Sequence, residues 1–158
     1  MKILDLAKSV GVSQATIYSM FNNKEGLYKE YVRLKVKEFI LELNELTKNS
    51  TSYEKLQKFV ALKFEYYTNR SRAIESSIVS VNIFYNDKTN PLKEFYCFLT
   101  EVFKEINVKI EEKQSIKQAY IFNSFSDGYI SLWKERKDFK LLDCVDEVCK
   151  KFFLITQE

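Results

Sequence analysis

The scarcity of chain-breaking residues constrains this sequence more than any other feature. Only 3 glycines and 1 proline occur among its 158 residues. Sheet and loop-rich proteins need more of both, because tight turns use backbone conformations that glycine and proline favour. Apolar residues recur at helical spacing, and no stretch alternates strictly as a strand does. The sequence therefore predicts an all-α fold of about eight helices.

Several kinds of reactive site are missing from the sequence. The chain contains no histidine, which removes the commonest general base and the commonest metal ligand. Cys97, Cys144 and Cys149 lack the spacing of a redox or zinc motif and are interpreted as reduced, small apolar residues. No paired-carboxylate, nucleophile or glycine-rich motif occurs. We therefore expect a protein that is not an enzyme and that binds no metal or cofactor.

Charge and hydropathy bear on location and partners. No apolar run approaches the roughly 20 residues that span a bilayer, and no signal peptide precedes the first residues. We therefore expect a cytoplasmic protein without membrane contact. The net charge of +3 is too small to indicate nucleic acid by itself. Residues 1–24 are nevertheless mildly basic. They contain Lys2, Lys8 and Lys24, and their only acidic residue is Asp5.

A helix-turn-helix is predicted at the N-terminus. Residues 3–10, ILDLAKSV, place apolar side chains at i, i+3, i+4 and i+7 of a short helix. Gly11 is expected to end that helix with a positive φ, and Ser13 to cap the next one. The second helix carries Ile17 and Phe21 on its apolar side. Two short helices joined by a turn containing glycine are typical of this motif.

The remaining helices are marked by caps and apolar stripes. A long helix over residues 24–46 follows Asn22 and has two apolar faces near its start, so it should link two bodies. Thr51 and Glu54 form a capping box for the next helix. Asn90 and Pro91 are expected to cap and begin a helix that runs to about residue 112. Two last helices are predicted over 115–135 and 138–155, and the second should bury Phe139, Leu142, Val145, Val148 or Cys149, Phe152 and Ile155.

The N-terminal residues resemble a known family. VSQATIYSMFNNKEGL, residues 12–27, is similar to the recognition-helix signature of TetR-family bacterial repressors, and ILDLAKSVG, residues 3–11, resembles the helix before it. DGYISLW, residues 127–133, resembles the penultimate helix of such proteins with little specificity. The resemblance implies a helix-turn-helix domain with linker helix over residues 1–47. It implies a regulatory, ligand-binding and dimerisation domain over residues 48–158.

Two departures from the family pattern concern the DNA-binding domain. TetR-like proteins have a further helix before the one that opens this sequence, which begins at Met1. The resemblance therefore leads us to expect an incomplete domain, through a late start-site assignment, a trimmed chain or a natural truncation. Met20 stands where the family usually has a histidine or tyrosine that reaches phosphate.

Seven residues are candidates for contact with a double-stranded DNA operator. Ser13 can offer its hydroxyl and the free N–H groups of a helix start to a phosphate. Gln14 and Ser19 are expected to read base edges, and the small Ala15 allows close approach. The resemblance adds Thr16 and Tyr18 as phosphate and sugar contacts and Lys24 as a phosphate clamp. Each residue alone also has an ordinary explanation as a cap or a solvated side chain.

The resemblance also implies partners for the larger domain. A homodimer through residues 115–135 and 138–155 would read a pseudo-palindromic operator. These two segments carry aromatic residues in excess of one core face: Tyr120, Phe122, Phe125, Trp133, Phe152 and Phe153. A small effector is expected in an aromatic pocket of the body, with the candidates Tyr67, Asn82, Tyr85 and Phe103. Simple core packing is the alternative for each of these four.

Two functions are compatible with the sequence. The first is a DNA-binding transcriptional regulator, a repressor that a small hydrophobic or aromatic effector releases by shifting the linker helix. The alternative is a TetR-like helical dimer that no longer binds DNA and serves as a ligand- or partner-binding module.

Overall fold

The computed structural model describes residues 11–21, 24–69, 90–136 and 138–156. These residues form six α-helices, one 3-10 helix and no strand, so the predicted all-α class is confirmed. The α-helices are α1 Gln14–Phe21, α2 Lys24–Thr47, α3 Ser52–Asn69, α4 Lys93–Ile106, α5 Glu112–Arg136 and α6 Val145–Thr156, and the 3-10 helix is Leu141–Cys144. The predicted count of about eight is higher. The expected helices at residues 3–10 and ending near Tyr85 lie outside the described residues.

The capping box that begins α3 is confirmed. The Thr51 N–H donates to Glu54 Oε2 over 2.7 Å, and the Glu54 N–H donates to Thr51 Oγ1 over 3.3 Å. Each residue thus satisfies a backbone donor that the first turn of a helix leaves without an internal acceptor. The Thr51 N–H bond also lowers the pKa of Glu54, because it favours the ionised carboxylate.

The start of α4 differs from the prediction by two residues. Pro91 lies in a turn and is not the first helical residue, since α4 begins at Lys93. Asn90 does act at this end, because its Oδ1 accepts the Leu92 N–H over 3.0 Å. The N–H groups of Lys93 and Glu94 bond to carbonyls three residues back, which is the 3-10 pattern. A tight turn therefore precedes the regular helix.

The predicted end of this helix near residue 112 is wrong. Helix α4 ends at Ile106, and Asn107 adopts an extended backbone with φ −132° and ψ 94°. The Asn107 side chain accepts the Lys109 N–H over 3.1 Å, so it competes with the helix for a backbone donor. The chain then enters α5 at Glu112.

The last predicted helix also begins later than expected. Residues 141–144 form a 3-10 helix, and α6 starts at Val145, so residue 138 is not a helix start. Because a 3-10 helix has three residues per turn, the buried position falls on Leu141. Leu142, which was expected to be buried, is 39% exposed. The burial of Val148, Cys149 and Phe152 is confirmed, and the Ile155 side chain lies outside the described ones.

One aromatic cluster joins helices α2 to α6, which together form the body of the structure. Phe59 on α3 is fully buried. Its ring centroid lies 5.8 Å from that of Phe39 on α2, 5.9 Å from Phe95 on α4 and 6.4 Å from Phe122 on α5. Phe122 in turn contacts Phe152 on α6 edge-to-face, with centroids 5.0 Å apart. The core therefore extends without a break from α2 to α6.

Helix α2 belongs both to this core and to the N-terminal segment. Its buried residues Val32, Val36, Phe39 and Leu43 form an apolar stripe that packs into the body. Helix α1 packs against α2, and Ile17 is buried among the described side chains of α1. The N-terminal segment is thereby held on a helix whose far end is fixed in the core.

Replacing Phe59 by alanine tests the central place of this ring. We expect Phe59→Ala to lower the free energy of unfolding by about 3–5 kcal/mol, because a cavity replaces ring contacts with four neighbours. Leu41→Ala is the control, since Leu41 is exposed and should change stability by less than about 0.5 kcal/mol. Urea unfolding followed by circular dichroism measures both. Equal losses in the two variants would contradict the described core.

Candidate nucleic-acid interface and regulatory core

Helix α1 presents one exposed polar surface. Ser13, Gln14, Ala15, Thr16 and Ser19 are exposed. Tyr18 is 41% exposed and Met20 is 69% exposed, whereas Ile17 is only 3% exposed. The structure thus brings six of the seven predicted DNA-contact residues onto one short element. Lys24, the seventh, is the first residue of α2, and its side chain lies outside the described ones.

Gly11 sets the direction in which the chain enters this helix. Its φ is +70°, as predicted from the sequence. A Cβ at this position would meet nothing within 4 Å, so space does not explain the glycine. The backbone conformation explains it, because side chains with a Cβ rarely adopt this region.

Ser13 and Thr16 organise the start of α1. The Thr16 N–H donates to Ser13 Oγ over 3.0 Å, which is the bond of an N-cap. The two hydroxyl oxygens are also 2.8 Å apart, and the Ser19 hydroxyl donates to the Thr16 carbonyl over 2.9 Å. The first-turn N–H groups of Gln14 and Ala15 are left at the exposed end of the helix, where an anion is favoured. The sequence predicted the cap but not the pairing of the two hydroxyls.

The residues predicted for effector binding do not form a described pocket. Tyr67 and Phe103 are both buried in the core. The Phe103 ring packs against Phe122 and Phe152, with centroid distances of 5.8 and 5.6 Å. Asn82 and Tyr85 lie outside the described residues. A surface groove of about 460 Å³ is lined by different residues: Tyr53, Ile106, Lys150, Phe153 and Leu154.

A buried lysine that sequence reasoning missed lies inside the body. Lys63 is the only charged side chain that is buried in the described part of the chain. Its Nζ lies 2.7 Å from Asn123 Oδ1, 2.8 Å from Ser126 Oγ and 2.6 Å from Asp127 Oδ1. Burial lowers the pKa of Lys63, and the Asp127 carboxylate opposes that effect. The burial of Lys63 could have been predicted from the sequence, because Lys63 stands three residues after Val60, on the apolar stripe of this helix.

The aromatic residues expected at a dimer surface mostly face inward. Phe122 and Phe152 are buried, and Phe125, Trp133 and Phe153 pack partly buried against the core. Tyr120 alone of the six is exposed. The outer side of α5 nevertheless exposes large apolar residues among polar ones, because three aliphatic residues are exposed there with Tyr120: Ile116, Ile121 and Leu132.

The described residues offer neither a membrane span nor a metal site. None of their helices combines the length and apolar character needed to cross a membrane. Within the same residues, no group of three or more cysteine and carboxylate side chains is placed to hold a metal ion.

Comparison with known proteins agrees with this arrangement. Residues 1–31 match the model of a family described as bacterial regulatory proteins, tetR family. The fold resembles that of the transcriptional regulator FadR from Bacillus subtilis, solved in complex with stearoyl-CoA. That match has a TM-score of 0.74 and 19% identity over 96% of this chain and 87% of FadR.

The N-terminal segment of this chain is therefore similar to the tetR family.

A second structure supports the TetR-type fold. A TetR transcriptional regulator from Legionella pneumophila matches with a TM-score of 0.70 and 20% identity, over 96% of this chain and 85% of that one. No protein with a curated description matches the sequence. The matched family and both matched structures are described as regulators, in agreement with the expectation that this chain is not an enzyme.

Proposed function

We propose that this chain is a TetR-family transcriptional regulator that acts as a repressor. It binds a pseudo-palindromic operator as a homodimer in the cytoplasm, and a small hydrophobic or aromatic effector releases it. The observation that carries the proposal is the exposed polar face of α1, on a helix that is fixed to the core through α2. The tetR-family match covers residues 1–31, which include α1, and this supports a role of the polar face in DNA binding.

Operator contact would use the helix end and the exposed side chains together. The N-terminus of α1 favours a phosphate, and Ser13 and Thr16 hold it in one geometry. Gln14 and Ser19 are exposed and polar, so they can meet base edges in the major groove. Tyr18 would contact the sugar-phosphate backbone, and Lys24, the first residue of α2, would supply a positive charge.

Release would follow from the packing of α2. An effector in the body changes the position of α2 if it binds one arrangement of the core more tightly than the other. Because α1 packs on α2, the two recognition helices of a dimer then lose the spacing of successive major grooves. FadR is solved with stearoyl-CoA, and this supports an effector with a substantial apolar part.

Dimerisation would use the outer face of α5. Ile116, Tyr120, Ile121 and Leu132 expose apolar side chains there, and Gly128 lies between them in the middle of the helix. A mid-helix glycine costs about 1 kcal/mol relative to alanine. A Cβ at Gly128 would meet nothing within 4 Å in the single chain, so the chain alone does not require the glycine. Close approach of the same helix from a second copy would require it.

Ser13→Asp tests operator binding without removing the helix cap. Aspartate caps as well as serine, so the melting temperature should not fall, but its charge repels a phosphate. We expect affinity for the DNA upstream of the gene to fall about 10- to 100-fold in a gel shift at about 0.1 M salt. Thr51→Asp is the matched control, because it changes the cap of α3 in the body. The repressor proposal would be overturned if both variants bound the upstream DNA with equal affinity, or if the wild type bound random DNA as tightly. Either result would support the alternative, a ligand- or partner-binding module that no longer binds DNA.

Gly128→Leu tests the dimer surface. We expect the dimer dissociation constant in analytical ultracentrifugation to rise about 100-fold, because leucine blocks close approach of the two helices. Asn44→Leu is the control, since it adds a leucine to the exposed side of α2. A wild type that is monomeric at about 10 μM, or a Gly128→Leu variant that dimerises as the wild type does, would contradict this surface.

A further inference from the structure

The cluster around Lys63 is a charged site that DNA binding and dimerisation do not use. We propose that Lys63 recognises a carboxylate on the effector, which takes the place of Asp127. This inference names the chemical class of the effector and rests on the proposed effector response.

The position of the Lys63 ammonium does not depend on Asp127. Asn123 accepts from Nζ through its backbone oxygen at 3.2 Å and through Oδ1 at 2.7 Å, and Ser126 Oγ accepts at 2.8 Å. The Ser126 hydroxyl donates in turn to the Asn123 carbonyl over 2.7 Å, so its lone pairs face the lysine. These neutral acceptors hold the ammonium in place, and Asp127 supplies the negative charge.

Asp127 can leave this site more readily than Lys63 can. The side chain of Lys63 is 4% exposed, whereas that of Asp127 is 48% exposed. The second oxygen of Asp127 receives a long hydrogen bond of 3.4 Å from Asn123 Nδ2. A carboxylate that is already half in water loses little on rotating outward, but a buried ammonium needs an anion at all times. If a ligand carboxylate replaces Asp127, the Asp127 side chain can move into water and the Lys63 ammonium keeps an anionic partner.

The surroundings favour a carboxylate that carries an apolar body. The Phe59 ring centroid lies 5.8 Å from Lys63 Nζ. Tyr96 and Tyr120 stack with centroids 3.9 Å apart, and Tyr96 hydrogen-bonds to the Asn123 side chain. Aromatic rings therefore lie on the core side and on the α4 side of the ammonium. A ligand could place its charge on Lys63 and its apolar part along Phe59 and Tyr96.

Replacement of Asp127 would also change the packing of the helices. The Lys63–Asp127 bond ties α3 to α5, and α3 packs against the linker helix α2. A ligand carboxylate satisfies Lys63 without being part of α5, so the ion pair between the two helices is lost and only the neutral hydrogen bonds to Asn123 and Ser126 remain. The effect of the ligand then reaches α2 through α3. The states with and without the ion pair thus differ in the packing of α2, as an effector response requires.

The test compares carboxylates with their neutral counterparts. Isothermal titration calorimetry of the whole chain without DNA uses octanoate against octan-1-ol, and 3-phenylpropanoate against 3-phenylpropan-1-ol. The proteins are the wild type, Asp127→Asn, Lys63→Met and Glu105→Gln. Glu105→Gln is the matched control, because it removes a carboxylate from Lys55 on the surface of the same helix α3.

The proposal predicts an ordered preference for the charged ligand. The wild type should bind at least one carboxylate about 10-fold more tightly than its alcohol, as expected for a charge-assisted hydrogen bond. Asp127→Asn should raise that preference to about 100-fold, because the internal competitor is gone. Lys63→Met should abolish the preference, and Glu105→Gln should leave it at the wild-type value.

Two results would overturn the proposal. One is the absence of any carboxylate preference in both the wild type and Asp127→Asn. The other is a preference that arises in Asp127→Asn alone, which would make Lys63–Asp127 a purely structural pair. These two proteins decide the matter even where Lys63→Met fails to fold. Because the titrations contain no DNA, their failure is distinct from a failure of operator binding.

Discussion

The packing of Phe39 into the body is the contact on which the rest of the structure depends. Its ring centroid lies 4.8 Å from Phe95, 5.2 Å from Tyr66 and 5.8 Å from Phe59. These contacts join α2 to α3 and α4 in the middle of the core. Because interiors are close-packed, helices joined in this way move between discrete arrangements and do not deform gradually. The orientation of α2 is therefore a property of the whole core.

Helix α2 connects this aromatic contact to the N-terminal segment. One end lies among buried aromatic rings, and the other carries α1, with Ile17 turned inward and a polar face turned outward. In the proposed mechanism, a change in the core changes the direction of the α1 surface. The buried lysine of α3 is placed where it can start such a change, because its charge must be balanced inside the body.

Sequence patterns predicted the features that depend on neighbouring residues. Gly11 shows its positive φ, and Thr51 and Glu54 form their capping box, because a few local hydrogen bonds and dihedral angles decide both. The sequence did not predict the helix end at Asn107, because a side-chain hydrogen bond ends the helix without altering the apolar pattern. It also did not predict that Leu141 is buried in place of Leu142, because a 3-10 turn shifts the helical register. Lys63 was missed because its acceptors come from α5, about sixty residues away in the chain. Of the effector residues, Tyr67 and Phe103 lie in the core, and the pocket stays a prediction.

The most direct test of the central claim is a titration of the isotopically labelled protein with DNA from upstream of its gene, followed by amide chemical shifts in NMR. The direct contacts should give the largest shifts at Gln14, Ala15 and Ser19. Smaller shifts should follow along α2 as far as Phe39, where the linker helix enters the core. Shifts confined to the body, or uniform small shifts that random DNA reproduces, would contradict a recognition surface on α1.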